Sequence, residues 1–222
     1  MTVKLMHYWA IIPSKIDEYA EFITNKFIPG INGLGIHTVA GWSVLVGSYS
    51  EVIVETISND LDQLEIALKS PEYRRLKSDL LNYIKHYKTK VLVPLKKETA
   101  YSMDIDEKTV KFNQVWDVIT REKDDFKKYR QFVISEYYPV LQEIGVHVAE
   151  EWEVLIGDGP RTICEGRVKD VESLISGLQS VKFRQAKEAL KTRVEKYESR
   201  ILSLHIMRDP DESSELYRIV DD

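Results

Sequence analysis

Two stretches of the 222-residue chain decide its fold: Gly41-Trp42-Ser43-Val44-Leu45-Val46-Gly47 and Glu151-Trp152-Glu153-Val154-Leu155-Ile156-Gly157. Each places a tryptophan in a run of branched residues closed by glycine, and the two tryptophans lie 110 positions apart. Carried along the chain, that offset pairs Pro29 with Pro139, Gly35 with Gly145, His37 with His147, Glu55 with Glu165, Leu64 with Leu174, Arg74 with Arg184 and Tyr87 with Tyr197. Residues 28–93 against 138–203 give 18 identities in 66 positions, several times the roughly 6% that ordinary composition yields by chance. Upstream the offset becomes 107 and pairs Trp9 with Trp116, so the second half carries three extra residues before its first helix ends. A repeat of this length is too long for a solenoid unit and has the size of a small domain. The expectation is a tandem duplication: residues 1–95, a polar linker at 96–110, residues 111–207, and an acidic tail at 208–222.

Each half spells the same order of elements. Residues 5–12 are rich in aromatic and branched side chains and predict a strand. Pro13-Ser14 opens a helix whose apolar positions, Ile16, Tyr19, Ala20, Ile23 and Phe27, recur at helical spacing, and Pro29-Gly30 stops it. Residues 36–47 and 52–57 predict the next two strands. Asn59-Asp60 caps a helix to Lys69, and Ser70-Pro71-Glu72 opens another. Residues 91–93 close the half as a short fourth strand. In the second half, strands are predicted at 112–119, 146–157, 162–168 and 201–205, and helices at 125–142, 171–179 and 182–197. The order β-α-β-β-α-β is that of a ferredoxin-like unit. One sheet face is covered by its own helices; the other is expected to be apolar and to need a cover, which a second copy supplies. The predicted fold is therefore α+β: two tandem ferredoxin-like repeats forming one intramolecular pseudo-two-fold barrel.

On these residues the chain resembles the dimeric α+β barrel superfamily. The first half is similar to the NIPSNAP family through Gly41 to Gly47, Glu51-Val52-Ile53-Val54 and Ser70-Pro71-Glu72-Tyr73. The second half keeps Trp152 to Gly157 and then departs, with Asp158-Gly159-Pro160-Arg161 at the turn. The resemblance implies the fold first. It also implies a range of activities: cofactor-independent monooxygenases, haem-degrading and haem-binding enzymes, lactone isomerases and proteins without known activity.

Composition narrows the partners. Hydrophobic residues make up 43% of the chain and charged residues 30%, ordinary globular usage, and the net charge is −5 with basic and acidic residues interleaved. No concentrated basic face is available for phosphates, so nucleic acid is not expected as a partner. No run of 18 apolar residues is present, so no membrane partner is expected either. The N-terminal apolar run is interrupted by His7 and ends at Pro13, unlike a signal peptide. The single cysteine, Cys164, permits no internal disulfide and suits a reducing compartment, which predicts a cytoplasmic protein. Further self-association stays open.

Candidate chemistry is sparse. His37 and His147 stand at equivalent strand starts. They suit acid–base work, or equally a structural role that recurs in both halves. His147, Glu151 and Glu153 share a face if their strand is regular and could together move a proton; a bulge would break that alignment. Their counterparts, His37, Gly41 and Ser43, leave the acidic character to the second half alone. Trp9, Trp42, Trp116 and Trp152, with Tyr8, Tyr19, Phe22, Tyr129 and Phe132, either line an apolar ligand cavity or simply pack the core. No metal site is predicted. No cofactor is predicted either; haem stays open only through the resemblance, and no motif designates one of the five histidines. The expected function is binding of a small apolar or aromatic ligand, extending to cofactor-independent monooxygenase- or isomerase-like catalysis. The alternative is a non-catalytic NIPSNAP-like interaction module.

Overall fold

The computed structural model describes residues 2–47, 52–95, 105–169, 171–208 and 217–220. The chain forms two compact units. The first comprises Met1–Val93, Leu155–Gly157 and Ser203–Asp222, the second Pro94–Val154 and Asp158–Leu202.

In the first unit, β1 (Val3–Ile11) lies between β3 (Val52–Ser58) and β4 (Ile84–Pro94), and β2 (His37–Val46) pairs with the far side of β3, all antiparallel. The helical elements are α1 (Ile16–Phe22), α2 (Ile28–Gly33), α3 (Leu61–Lys69) and α4 (Pro71–Leu80). A central strand is covered on both faces, and β1 is buried from Val3 to Tyr8 and at Trp9. Val3, Leu5 and Trp9 join the helices in one core with Tyr19, Phe27, Leu64 and Leu76. The alternating residues Lys4, Met6 and Tyr8 take the opposite face.

The second unit runs in the same order. It contains β5 (Val110–Val118), α5 (Asp125–Phe132), α6 (Tyr138–Glu143), β6 (His147–Ile156) as far as Val154, β7 (Thr162–Val168), α7 (Val171–Leu178), α8 (Val181–Lys191) and β8 (Val194–Arg208) as far as Leu202. Here β7 lies between β6 and β5, and β5 neighbours β8. The registers coincide at the same offset. His37 faces Ile57 and Ala40 faces Glu55, with a bulge between Thr38 and Ala40; His147 faces Arg167 and Glu150 faces Glu165, with a bulge between Val148 and Glu150.

Four expectations need correction. The first helix does not stop at Pro29. Proline has no N–H to offer the carbonyl four residues back, and the ladder widens ahead of it into a π-helical turn at Ile23–Phe27, where the Ile28 N–H donates to the Ile23 carbonyl. Helix α2 then continues through the proline. The same turn, Val133–Tyr137, precedes Pro139. The fourth strand of each half is longer than its apolar stretch: β4 begins at Ile84 and β8 at Val194, so the helix predicted to 197 ends at Lys191. His86 and Lys196 sit in the left-handed region (φ 57° and 55°) and interrupt the alternation that would mark these strands. The tail holds β9 (Tyr217–Ile219), paired with β8 within the first unit; residues 209–216 lie outside the described residues.

Finally, the sheet face away from the helices is not purely apolar. It holds Lys4 with Glu55 (3.7 Å) in the first unit and Lys111 with Glu165 (3.8 Å) in the second, all four side chains fully buried.

The local signals behave as their chemistry requires. Asp60 accepts from the Gln63 N–H at 2.8 Å and Ser70 from the Tyr73 N–H at 3.1 Å, which satisfies a free donor at each helix start. Asp60→Ala is expected to lower stability by about 1 kcal/mol. Urea melts showing no loss would mean that α3 does not depend on this cap. Among the described residues no helix is long and apolar enough to cross a membrane.

Candidate functional site

Strand β5 aims Phe112, Gln114 and Trp116 at the helices of the second unit, and the polar atoms among these rings form one connected group. The Trp116 indole N–H donates to the Tyr129 hydroxyl at 2.9 Å, and that hydroxyl donates to Glu151 Oε1 at 2.5 Å. Tyr138 donates to Glu151 Oε2 at 2.7 Å, and the Arg130 guanidinium bonds the same oxygen. Behind them, Tyr137 and Tyr197 both donate to Gln114 Oε1, at 2.5 and 2.8 Å. Gln114 Nε2 is buried and has no hydrogen-bond partner among the described residues. Tyr197 stacks on Trp116 with centroids 6.2 Å apart. Tyr137 ends the π-helical turn and Tyr138 opens α6 directly after it.

Electrostatics fixes the protonation of this group. Burial pushes the Tyr129 phenol far above its usual range, and the Glu151 charge adds to it. Burial likewise raises Tyr137 and Tyr138, and takes Tyr197 to about 12. Cys164, fully buried, is held as a thiol by burial first and by Glu151 second. Near neutral pH the phenols therefore keep their protons and act as donors.

A cleft of about 430 Å³ opens beside this group, its lining including Ile134, Tyr138, Gln142, Val148, Glu150 and Glu151. Glu151, only 3% exposed, is one of its lining residues. His147 also borders the cleft but is exposed, and the bulge between Val148 and Glu150 breaks the expected alignment. His147 faces Arg167, whereas Glu151 and Glu153 face Cys164 and Thr162, residues of the other parity on β7. Glu153 is half-buried and His37 exposed.

All four tryptophans are buried, but they do not share a cavity. Trp9 and Trp116 lie on the helix side; Trp42 and Trp152, one step along the strand from Gly41 and Glu151, take the other face. None lines the cleft; Trp116 reaches Glu151 only through Tyr129. Sequence reasoning missed Arg130, Tyr138 and Gln114. Their signal was faint: Arg130 adjoins Tyr129 on its helix, and Tyr138 follows Tyr137 immediately before Pro139.

The first unit repeats the frame without the acid. The Trp9 indole donates to Tyr19 at 3.1 Å, and Trp9 stacks on Tyr87 at 6.2 Å. Gln114 is replaced by His7, fully buried and sharing a 2.9 Å hydrogen bond with Tyr87, which in turn lies 3.2 Å from the Tyr73 hydroxyl. Glu151 is replaced by Gly41, where a Cβ would come within 2.8 Å of Ile206. Among the described residues no three His, Cys, Asp or Glu side chains converge as a metal site.

No protein-family model and no curated protein matches the sequence. Solved structures do. A candidate monooxygenase from Fusobacterium nucleatum superposes with a TM-score of 0.60 at 12% identity, covering 91% of this chain and 92% of that one. A haem-binding protein from Thermus thermophilus gives 0.51 at 12% identity, covering 92% and 91%. These likenesses show the fold, mixed α+β of the ferredoxin-like barrel kind, and no chemistry. A NIPSNAP domain protein from Burkholderia xenovorans aligns over 45% of this chain and 100% of its own, with 18% identity and a TM-score of 0.37, too weak a likeness to carry the family.

Proposed function

We propose that the second unit binds a small apolar or aromatic ligand in the cleft beside Glu151, and that the chain acts on that ligand without a cofactor, as monooxygenase- or isomerase-like members of the α+β barrel superfamily do. One observation carries the reading: a buried carboxylate, held by two phenols and a guanidinium, lines a 430 Å³ cleft. Small-molecule sites combine apolar walls with a few fixed polar groups, and this cleft joins Ile134, Pro139, Val146 and Val148 to Tyr138 and Glu151.

Haem, which the Thermus protein is named for binding, has no part in this reading, because the residues of the second unit do not fit it. The helix-side interior of the second unit is filled by the Trp116, Tyr129, Tyr137 and Tyr197 rings and contains no histidine, Gln114 standing where the first unit has His7. The one histidine bordering the cleft, His147, is exposed.

We further infer that the two units are a tandem duplication, supported by their shared registers and the repeated Trp–Tyr frame, and that the protein works in the reducing cytoplasm, supported by a lone buried thiol. The competing reading, a non-catalytic interaction module, is favoured by an apolar groove of about 410 Å³ in the first unit lined by Leu61, Leu64, Leu68, Val91 and Ile156.

The test is ligand-observed NMR with a mixed set of small aromatic compounds. Ile134, half-exposed on the cleft wall, can become tryptophan without disturbing the core. Ile134→Trp is expected to weaken binding about tenfold or more. Unchanged binding would move the site elsewhere, and an absence of any binder would favour the interaction module.

A further inference from the structure

The first unit shows what its own version of the cleft accepts. There, strand β9 lays Tyr217 between α2 and the start of β2. The Tyr217 hydroxyl donates to the Thr38 carbonyl at 2.7 Å and accepts from Asn32 Nδ2 at 3.4 Å. Asn32 is itself aimed by its Oδ1, which accepts from the Thr38 N–H at 2.7 Å. Tyr217 and Ile219 pack on the first unit's core, and Ile206 covers Gly41 beside them. A phenol ring is thus held between a helix amide and a strand carbonyl at the bulge.

The second unit has a side-chain amide and a pre-bulge strand residue at the equivalent positions, with the amide exposed instead of buried. Gln142 occupies on α6 the position of Asn32 on α2, and Val148 precedes the β6 bulge as Thr38 precedes that of β2. Both border the 430 Å³ cleft, and the Gln142 side chain is exposed, with its amide on no protein partner among the described residues. Where the first unit has Gly41 under Ile206, this unit has Glu151 bonded to Tyr138, so this position is polar here and apolar there.

We propose that the cleft of the second unit takes a phenol, the ring lying along α6 with its hydroxyl donating to the Val148 carbonyl and accepting from the Gln142 amide. This rests on the reading of the cleft as a small-molecule site and names its ligand class. The chemistry is that of a para-substituted phenol, whether a free molecule or the side chain of a tyrosine.

The experiment titrates the full chain with p-cresol, toluene and benzoate by ligand-observed NMR. The expected result is p-cresol about tenfold tighter than toluene, because its hydroxyl gains about one net hydrogen bond to the Val148 carbonyl and the Gln142 amide that toluene cannot make. Gln142→Leu, an exposed change that leaves the fold intact, is expected to erase that preference. Tyr217→Ala is expected to raise the p-cresol stoichiometry from one to two by vacating the Asn32–Thr38 seat. Toluene or benzoate binding as tightly as p-cresol would overturn the phenol while leaving the cleft standing. A p-cresol preference that survives Gln142→Leu would overturn the assigned seat. No binding by any of the three would overturn both the phenol and the cleft. A peptide of residues 214–222 binding more tightly than p-cresol would assign the phenol to a polypeptide, and the reverse order to a free molecule; both uphold the class.

Discussion

Lys4→Met is expected to destabilise the protein by about 3–5 kcal/mol, the usual result of removing one partner from a buried ion pair. Lys4 and Glu55 lie 3.7 Å apart with both side chains fully buried, so the variant keeps the Glu55 carboxylate out of water and removes its counter-charge. The desolvation cost of forming such a pair is large, and a well-packed apolar pair in its place is often no worse. The double variant Lys4→Met, Glu55→Leu should therefore recover most of the loss. Denaturant melts of the three proteins check this. A double variant as unstable as the single one would show that the pair contributes net stability through its geometry rather than merely cancelling its own burial. Lys111 and Glu165 offer the same experiment in the second unit.

Acid should unfold the protein through His7. Burial first, and the Lys77 charge second, hold its pKa down to about 3, against 6.5 for a free imidazole. Above pH 6.5 neither the folded nor the unfolded chain protonates it, and His7 adds no pH dependence. Between 6.5 and about 3 the unfolded chain takes up a proton that the folded chain refuses. Stability then falls with falling pH, by at most about 1.4 kcal/mol per pH unit. Over the whole window that is roughly 4 kcal/mol. Glutamine is the natural replacement, because Gln114 fills the equivalent position and accepts from Tyr197 as a glutamine at 7 would from Tyr87. The difference in stability between wild type and His7→Gln should therefore widen as pH falls from 6.5 to 4. Parallel pH profiles for the two proteins would show that His7 is not the group responsible.

His7 shows how position and environment separate. Its place on β1 was readable, since the aromatic and branched residues around it mark a strand. Its burial was not, because a histidine in a strand is equally at home in solvent. The same holds for Lys4, Lys111, Glu55 and Glu165. The two glutamates stood out as a repeated pair, but charged residues are buried only when the register supplies a partner, and no local pattern states the register. The acidic character of the second half was legible by comparing Gly41 with Glu151. The face of His147 was not, because one bulge between Val148 and Glu150 reverses the parity on which the comparison relied.

What the sequence determined by itself is therefore local or periodic. It set the offset of 110 between the two halves, the order of strands and helices in each, and the caps at Asp60 and Ser70. These follow from the spacing of apolar side chains and from hydrogen bonds spanning three residues. The tertiary structure alone decided which distant groups meet. Glu151 receives Tyr129 and Arg130 from α5 and Tyr138 from α6, and Tyr217 reaches Asn32 across 185 positions. The physical reason is that a buried polar atom must find a partner wherever the packed chain brings one, and that requirement is met by the whole fold at once, not by any stretch of it.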